Sequence, residues 1–109
     1  MAIKKYYVTV DKEGTTRWFK DAKCTILHRE NGPAVEYSNG DRVWYQNGFL
    51  HRIDGPAIEW GNGIKIWYQN GLLHRTDGPA VERSDGTKDW YINSEELTED
   101  EFNQRVKNV

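Results

Sequence analysis

The chain has 109 residues, a formal charge of −2 and only 37% hydrophobic residues, with an isoelectric point near 5.9 and a mean hydropathy of −0.89. That length suits one domain, and the charge argues against a dedicated nucleic-acid binder, which carries a strongly basic balance. No apolar run approaches the roughly 20 residues of a membrane span and the start does not read as a secretory leader, so a cytoplasmic protein is expected.

The apolar content sits in five Trp, six Tyr and three Phe. A few large flat side chains must do most of the burying, which suits a thin, extended fold. The single cysteine, Cys24, has no partner for an internal disulfide.

Residues 1–26 read as a degenerate capping repeat. In YVTVDKEGTTRWFKD, Gly14, Trp18 and Phe19 match Gly40, Trp44 and Tyr45 at an offset of 26, with the extra residues placed in KDAKCTIL. Three clear repeats follow at a period of 23: LHRENGPAVEYSNGDRVWYQNGF (27–49), LHRIDGPAIEWGNGIKIWYQNGL (50–72) and LHRTDGPAVERSDGTKDWYINS (73–94). A period of this size announces a repeat architecture, whose end copies commonly degenerate.

Each repeat carries two turn signals. Asn39-Gly40, Asn62-Gly63 and Asp85-Gly86 suit two-residue type I′ hairpins, and Asn47-Gly48 and Asn70-Gly71 end the second strand. The segments between, RVWYQ, KIWYQ and KDWYI, favour strands. A two-residue loop at Asn39-Gly40 predicts Val35 opposite Trp44, Tyr37 opposite Arg42, Glu36 opposite Val43 and Ala34 opposite Tyr45. Ile58 would likewise face Trp67, and Val81 would face Trp90.

One face then carries Val/Ile against Trp as a core stripe. The other carries Ala34, Glu36, Tyr45 and their equivalents Ala57, Glu59, Tyr68, Ala80, Glu82 and Tyr91, and is expected to face solvent or a partner. Tyr37 over Arg42 and Trp60 over Lys65 are expected cation–aromatic contacts. Glu82 opposite Asp89 is a like-charge pair with no evident reason. After the repeats, Thr98 and Glu101 form a capping box for a helix over 97–107, with Leu97, Phe102 and Val106 sealing the sheet end.

His28, His51 and His74 recur, but equivalent atoms two strands apart stand about 10 Å from each other, too far to share one zinc. Each is expected to satisfy a turn or touch the next repeat. Glu36, Glu59 and Glu82 at about 10 Å exceed a retaining glycosidase pair; pairing with Arg29, Arg52 and Arg75 in an ion-pair ladder is expected instead. Asp54-Gly55-Pro56 and its equivalents read as the joint between hairpins, with Gly supplying freedom in φ and Pro removing a donor. Cys24 lacks a repeated His or Asn for nucleophile chemistry, and no phosphate loop, G-x-S-x-G or dinucleotide motif occurs. No catalytic, metal or cofactor site is expected.

The pattern G-x-x-x-W-Y-x-N-G, followed by a short polar segment every 23 residues, resembles the MORN-variant type of β-hairpin repeat. The LHRxDGPA segments resemble repeats in small proteins of bacteriophages and large viruses. The resemblance covers roughly residues 6 to 94. The turns, the repeat and the capping box together predict an all-β antiparallel meander of about three and a half hairpin repeats with one C-terminal helix. Because His-Arg-x-Asp-Gly-Pro-Ala departs from ordinary MORN repeats, their membrane and lipid associations are not carried over.

The leading functional expectation is a non-enzymatic protein-binding module, since repeated Tyr, Trp and Arg are hot-spot types. Candidate contacts are Tyr37, Arg42, Trp60, Lys65, Tyr45, Tyr68, Tyr91, Arg29, Arg52 and Arg75. The viral resemblance makes the finer reading an inhibitor of a host defence factor. A second reading is a sponge for a nucleotide-type ligand, held by Arg and stacking. A third is a structural spacer that associates through exposed sheet edges.

Overall fold

The structure, a computed structural model, describes residues 5–107; the first four residues of the expected capping repeat lie outside them. It is an antiparallel β meander with one C-terminal helix. The hairpin of β1 (Tyr7–Val10) and β2 (Thr16–Phe19) comes first. The units then add β3 (Val35–Glu36) with β4 (Arg42–Val43), β7 (Ile58–Glu59) with β8 (Lys65–Ile66), and β11 (Val81–Glu82) with β12 (Lys88–Ile92). Past β4 and β8 the chain leaves the main sheet for short hairpins, β5 (Tyr45–Gln46) with β6 (Phe49–Leu50) and β9 (Tyr68–Gln69) with β10 (Leu72–Leu73). In the last unit β12 runs on unbroken and pairs with β13 (Glu95–Leu97), and α1 (Glu99–Lys107) follows.

The main sheet runs β1-β2-β3-β4-β7-β8-β11-β12-β13, so neighbouring strands follow chain order except where the small hairpins loop out. Its Cα radius of gyration is 15.7 Å, with extents of 45 × 34 × 22 Å. A compact chain of this length would give about 13 Å, so the molecule is drawn out along the repeat axis, as its thin apolar content requires.

The turns are assigned the other way round from the sequence expectation. At Asn39-Gly40 only the glycine has positive φ, +96°. Gly40 N–H donates to Tyr37 C=O, and Tyr37 N–H donates to Asp41 C=O. The loop therefore holds three residues, a type I turn closed by a left-handed glycine. The same two bonds recur about Asp11, Trp60 and Arg83. The type I′ turns are Asn47-Gly48 (+52°, +82°) and Asn70-Gly71 (+50°, +81°), with Asn93-Ser94 (+48°, +67°) in the last unit.

One extra loop residue shifts the register by one and exchanges the faces. Val35 lies opposite Val43 and Glu36 opposite Arg42, not Trp44 and Val43. Ile58 faces Ile66, and Val81 faces Asp89, where Trp67 and Trp90 were expected. Glu82 accordingly faces Lys88 and Lys65, which removes the like-charge pair with Asp89; Asp89 is bound by Arg83 instead. Arg42 stands between Glu36 and Glu59 and Lys65 between Glu59 and Glu82, so neither lies over the expected aromatic ring.

Val35, Val43 and Ile58 form the buried cluster, flanked by half-buried Leu27, Tyr45, Leu50, Trp60, Ile66 and Tyr68. Tyr45 and Tyr68 thus border the core and not the solvated face. Ala34, Ala57 and Ala80 are fully buried, at 0% exposure, where an exposed face was expected. The Pro-Ala joint and the break at Trp44 and Trp67 interrupt strict alternation, so adjacent residues such as Ala34 and Val35 both go inside.

The far end is closed by the helix. Thr98 N–H donates to Glu101 Oε1 and Glu101 N–H to Thr98 Oγ1, at 2.8 and 3.1 Å, completing the capping box. These bonds, led by the Thr98 backbone N–H, hold the Glu101 carboxyl below its ordinary range. Leu97 and Phe102 are buried, and Val106 is half-buried. Phe102→Ala is expected to destabilise the chain by about 3 kcal/mol through lost burial and the cavity left behind, while Val106→Ala costs far less. Urea titration followed by tryptophan fluorescence measures both.

Candidate functional site

The octapeptide, LHRENGPA in the first copy and LHRxDGPA in the next two, builds one structure three times. Its arginine turns back under its own joint. The guanidinium carbons of Arg29, Arg52 and Arg75 lie 3.9, 3.9 and 3.8 Å from the ring centroids of Trp18, Trp44 and Trp67, each from the preceding unit. On the opposite side stands a glycine. A Cβ at Gly32, Gly55 or Gly78 would fall 3.0, 2.9 or 2.8 Å from the same guanidinium carbon. None of these glycines has positive φ, so the expected freedom in φ is not their role. They leave room for a flat cation stacked on an indole.

The guanidinium edge is occupied as well. Nη1 of Arg29, Arg52 and Arg75 donates to the carbonyls of Pro33, Pro56 and Pro79 at 3.2, 3.1 and 3.0 Å. The same nitrogen donates to Glu36, Glu59 and Glu82 at 3.1, 3.3 and 2.9 Å, forming the ion-pair ladder the spacing predicted. Nε of Arg52 and Arg75 adds Asp54 and Asp77, at 3.0 and 2.7 Å, where the first unit has Asn31. Backbone bonds fasten the same joint, with Trp18, Trp44 and Trp67 N–H donating to Ala34, Ala57 and Ala80 C=O at 2.8, 2.7 and 2.8 Å.

The histidines serve turns. Nδ1 of His28, His51 and His74 accepts the backbone N–H of Asn47, Asn70 and Asn93 at 2.9, 3.0 and 3.0 Å. An accepting Nδ1 leaves the proton of the neutral ring on Nε2. These asparagines open the type I′ turns, so each His secures the small hairpin of its own unit. Among the described residues no group of three or more His, Cys, Asp or Glu is placed to hold a metal.

The joints project as parallel ridges with a groove between successive copies. The first groove, about 540 Å³, is lined by Glu30, Asn31 and Gly32 of one ridge, His51, Arg52, Ile53 and Asp54 of the next, and Trp44 and Gln46. The second, about 620 Å³, repeats it with Ile53 to Pro56, His74 to Asp77, Trp67 and Gln69. In the third the helix takes the place of a further ridge, and Ile92, Gln104 and Val106 join His74 and Thr76. Trp90, which has no following arginine, meets Phe102 with ring centroids 6.5 Å apart.

The sequence-expected contact residues fall into separate places. Arg29, Arg52 and Arg75 are held inside the joints. Tyr45 and Tyr68 are half-buried against the core, and burial holds the Tyr45 hydroxyl above its ordinary range. Tyr91 lies in β12, half-buried and opposite Glu96. Tyr37 and Trp60 touch each other at 6.4 Å between centroids, and Arg42 and Lys65 lie on the charged strand rows. The groove residues Gln46, Gln69, Ile53 and Thr76 were not anticipated. Their signal was the recurrence of Trp-Tyr-Gln in register with His-Arg-x.

No family model, no curated protein and no solved structure matches the chain. No helix among the described residues is long and apolar enough to cross a membrane.

Arg52→Lys is expected to cost about 2 kcal/mol, because an ammonium keeps the charge but loses the planar stack and the fork geometry. Denaturant melts of Arg52→Lys and Arg52→Ala should show losses of similar size.

Proposed function

We propose that the chain is a non-catalytic protein-binding repeat whose inter-ridge grooves receive side chains from an extended segment of a partner. The observation that carries this reading is the repetition of one groove with the same lining positions. Units two strands apart recur about every 10 Å, which about three residues of extended chain span. A segment in the polyproline II conformation laid across the ridges would therefore present every third side chain to an equivalent groove, because that helix has three residues per turn and rises about 3.1 Å per residue. Ile53, 82% exposed, stands on the shared wall of both grooves and is its apolar anchor.

The nucleotide-sponge reading has less support, because the arginines that would bind phosphate are already engaged. Each meets an indole, a proline carbonyl and a carboxylate, and Arg52 and Arg75 keep side-chain exposures of only 22% and 19%. Recruiting them would dismantle the joint. The resemblance of LHRxDGPA to viral repeats makes a host factor the first class of partner to test, a defence protein among them.

Selection of a random peptide-display library on the purified chain tests the groove. The selected peptides are expected to share anchor residues three apart. Their binding should fall at least tenfold in Ile53→Glu and Gln69→Ala while both variants keep the parent's circular dichroism. Failure to enrich any peptide, or enriched peptides indifferent to both substitutions, would overturn the reading.

A further inference from the structure

The two ends of the sheet are built differently. At the C-terminal end, β13 carries Glu95 and Glu96, and Arg105 of the helix binds Glu95 through both terminal nitrogens at 3.3 and 3.2 Å. Charge and a covering helix both discourage another strand from pairing there. At the N-terminal end β1 is the last strand of the sheet among the described residues. Its sequence, Tyr-Val-Thr-Val, has no charge, proline or glycine, and Val8 and Val10 are 50% and 67% exposed.

The backbone orientation of β1 follows from its turn. Asp11 N–H donates inward to Thr15 C=O at 3.1 Å. Alternation in an antiparallel ladder then directs the N–H and C=O of Thr9 and Tyr7 toward β2, and those of Val8 and Val10 outward. The most exposed valines thus sit at the positions that present hydrogen-bonding groups to the free edge.

We infer that this edge pairs with the same edge of a second copy of the chain, β1 against β1, about a two-fold axis through Val8. Self-complementarity argues for a copy of this chain. In that register Val8 faces Val8 of the second copy and Tyr7 faces Thr9. Lys5, which lies 5.3 Å from the Tyr7 ring centroid, comes at both ends opposite Asp11 of the second copy, where it joins Arg17, which already binds that carboxylate at 2.9 Å. Opposite charges meet twice, outward backbone groups meet in pairs, and the two sheets become one continuous sheet. The arrangement is isologous, so it closes as a dimer and does not propagate, with the charged, helix-covered ends outermost. It rests on β1 alone and is independent of the peptide-binding reading.

Sedimentation equilibrium of the full chain over a wide concentration range tests the inference. The parent is expected to shift from 12.8 kDa toward twice that mass as concentration rises. Val8→Lys places a charge on the edge, and Val10→Pro removes an outward donor without touching the ladder to β2. Each should weaken the dimer at least tenfold with unchanged circular dichroism, and Lys5→Glu should weaken it at low salt. A parent that stays monomeric at millimolar concentration would overturn the inference. So would a dimer that survives both edge variants in folded form, since its contact surface would then lie elsewhere.

Discussion

In each full unit the guanidinium of Arg29, Arg52 or Arg75 lies flat between the indole of the preceding unit and the bare Cα of its own glycine. Two requirements follow from that one contact. A strand break is not among them, since the strand breaks at Trp44 and Trp67 but β2 runs unbroken through Trp18. The joint must carry Gly where any Cβ would strike the guanidinium. Carboxylates must neutralise a charge that is largely removed from water, which Glu36, Glu59 and Glu82 do. A chain too poor in aliphatic residues for a thick core is therefore joined unit to unit by planar stacking and charge-assisted hydrogen bonds. The aliphatic cluster of Val35, Val43 and Ile58 remains small.

The ends of the array obey the same constraint. Trp18 is the acceptor for the first arginine, and this explains why the worn N-terminal copy keeps a tryptophan while losing its own LHR joint. Its enlarged loop is closed by Asp21, which accepts the N–H groups of Thr25 and Ile26 in place of an Asn-Gly turn. The Thr25 hydroxyl, foremost among these contacts, holds the Asp21 carboxyl below its ordinary range. At the other end Trp90 has no arginine to receive, and Phe102 of the helix covers that space. Helix and worn repeat are the two terminal solutions to one unpaired stacking position.

The meander, its period, the capping helix and the Arg–Glu ladder were legible because each rests on local pattern or repetition. The register was not, because the two turns of each unit look alike in the sequence and only one is type I′. Two signs held the missing information. Glu13 occupies the position of Asn39 in the worn copy, and glutamate is a poor left-handed residue, so that turn needs positive φ only at its glycine. The apparent Glu82–Asp89 clash was the second sign that the pairing was off by one. The grooves were hidden for a different reason: they arise between units, where the strand break at Trp44 brings residues of two joints together. Strand periodicity alone does not encode that break.

The measurement that bears most directly on this account is the energetic coupling between Gly55 and Arg52. Gly55 has a φ that alanine tolerates, so its substitution is harmful only through the guanidinium 2.9 Å from the new Cβ. Gly55→Ala is expected to cost about 1–2 kcal/mol in the parent, as overpacking does. In an Arg52→Ala background it should become neutral or slightly stabilising, since the unfolded chain loses freedom and no clash remains. A cost unchanged by removal of Arg52 would contradict the stacked-cation joint as the element that holds the repeats together.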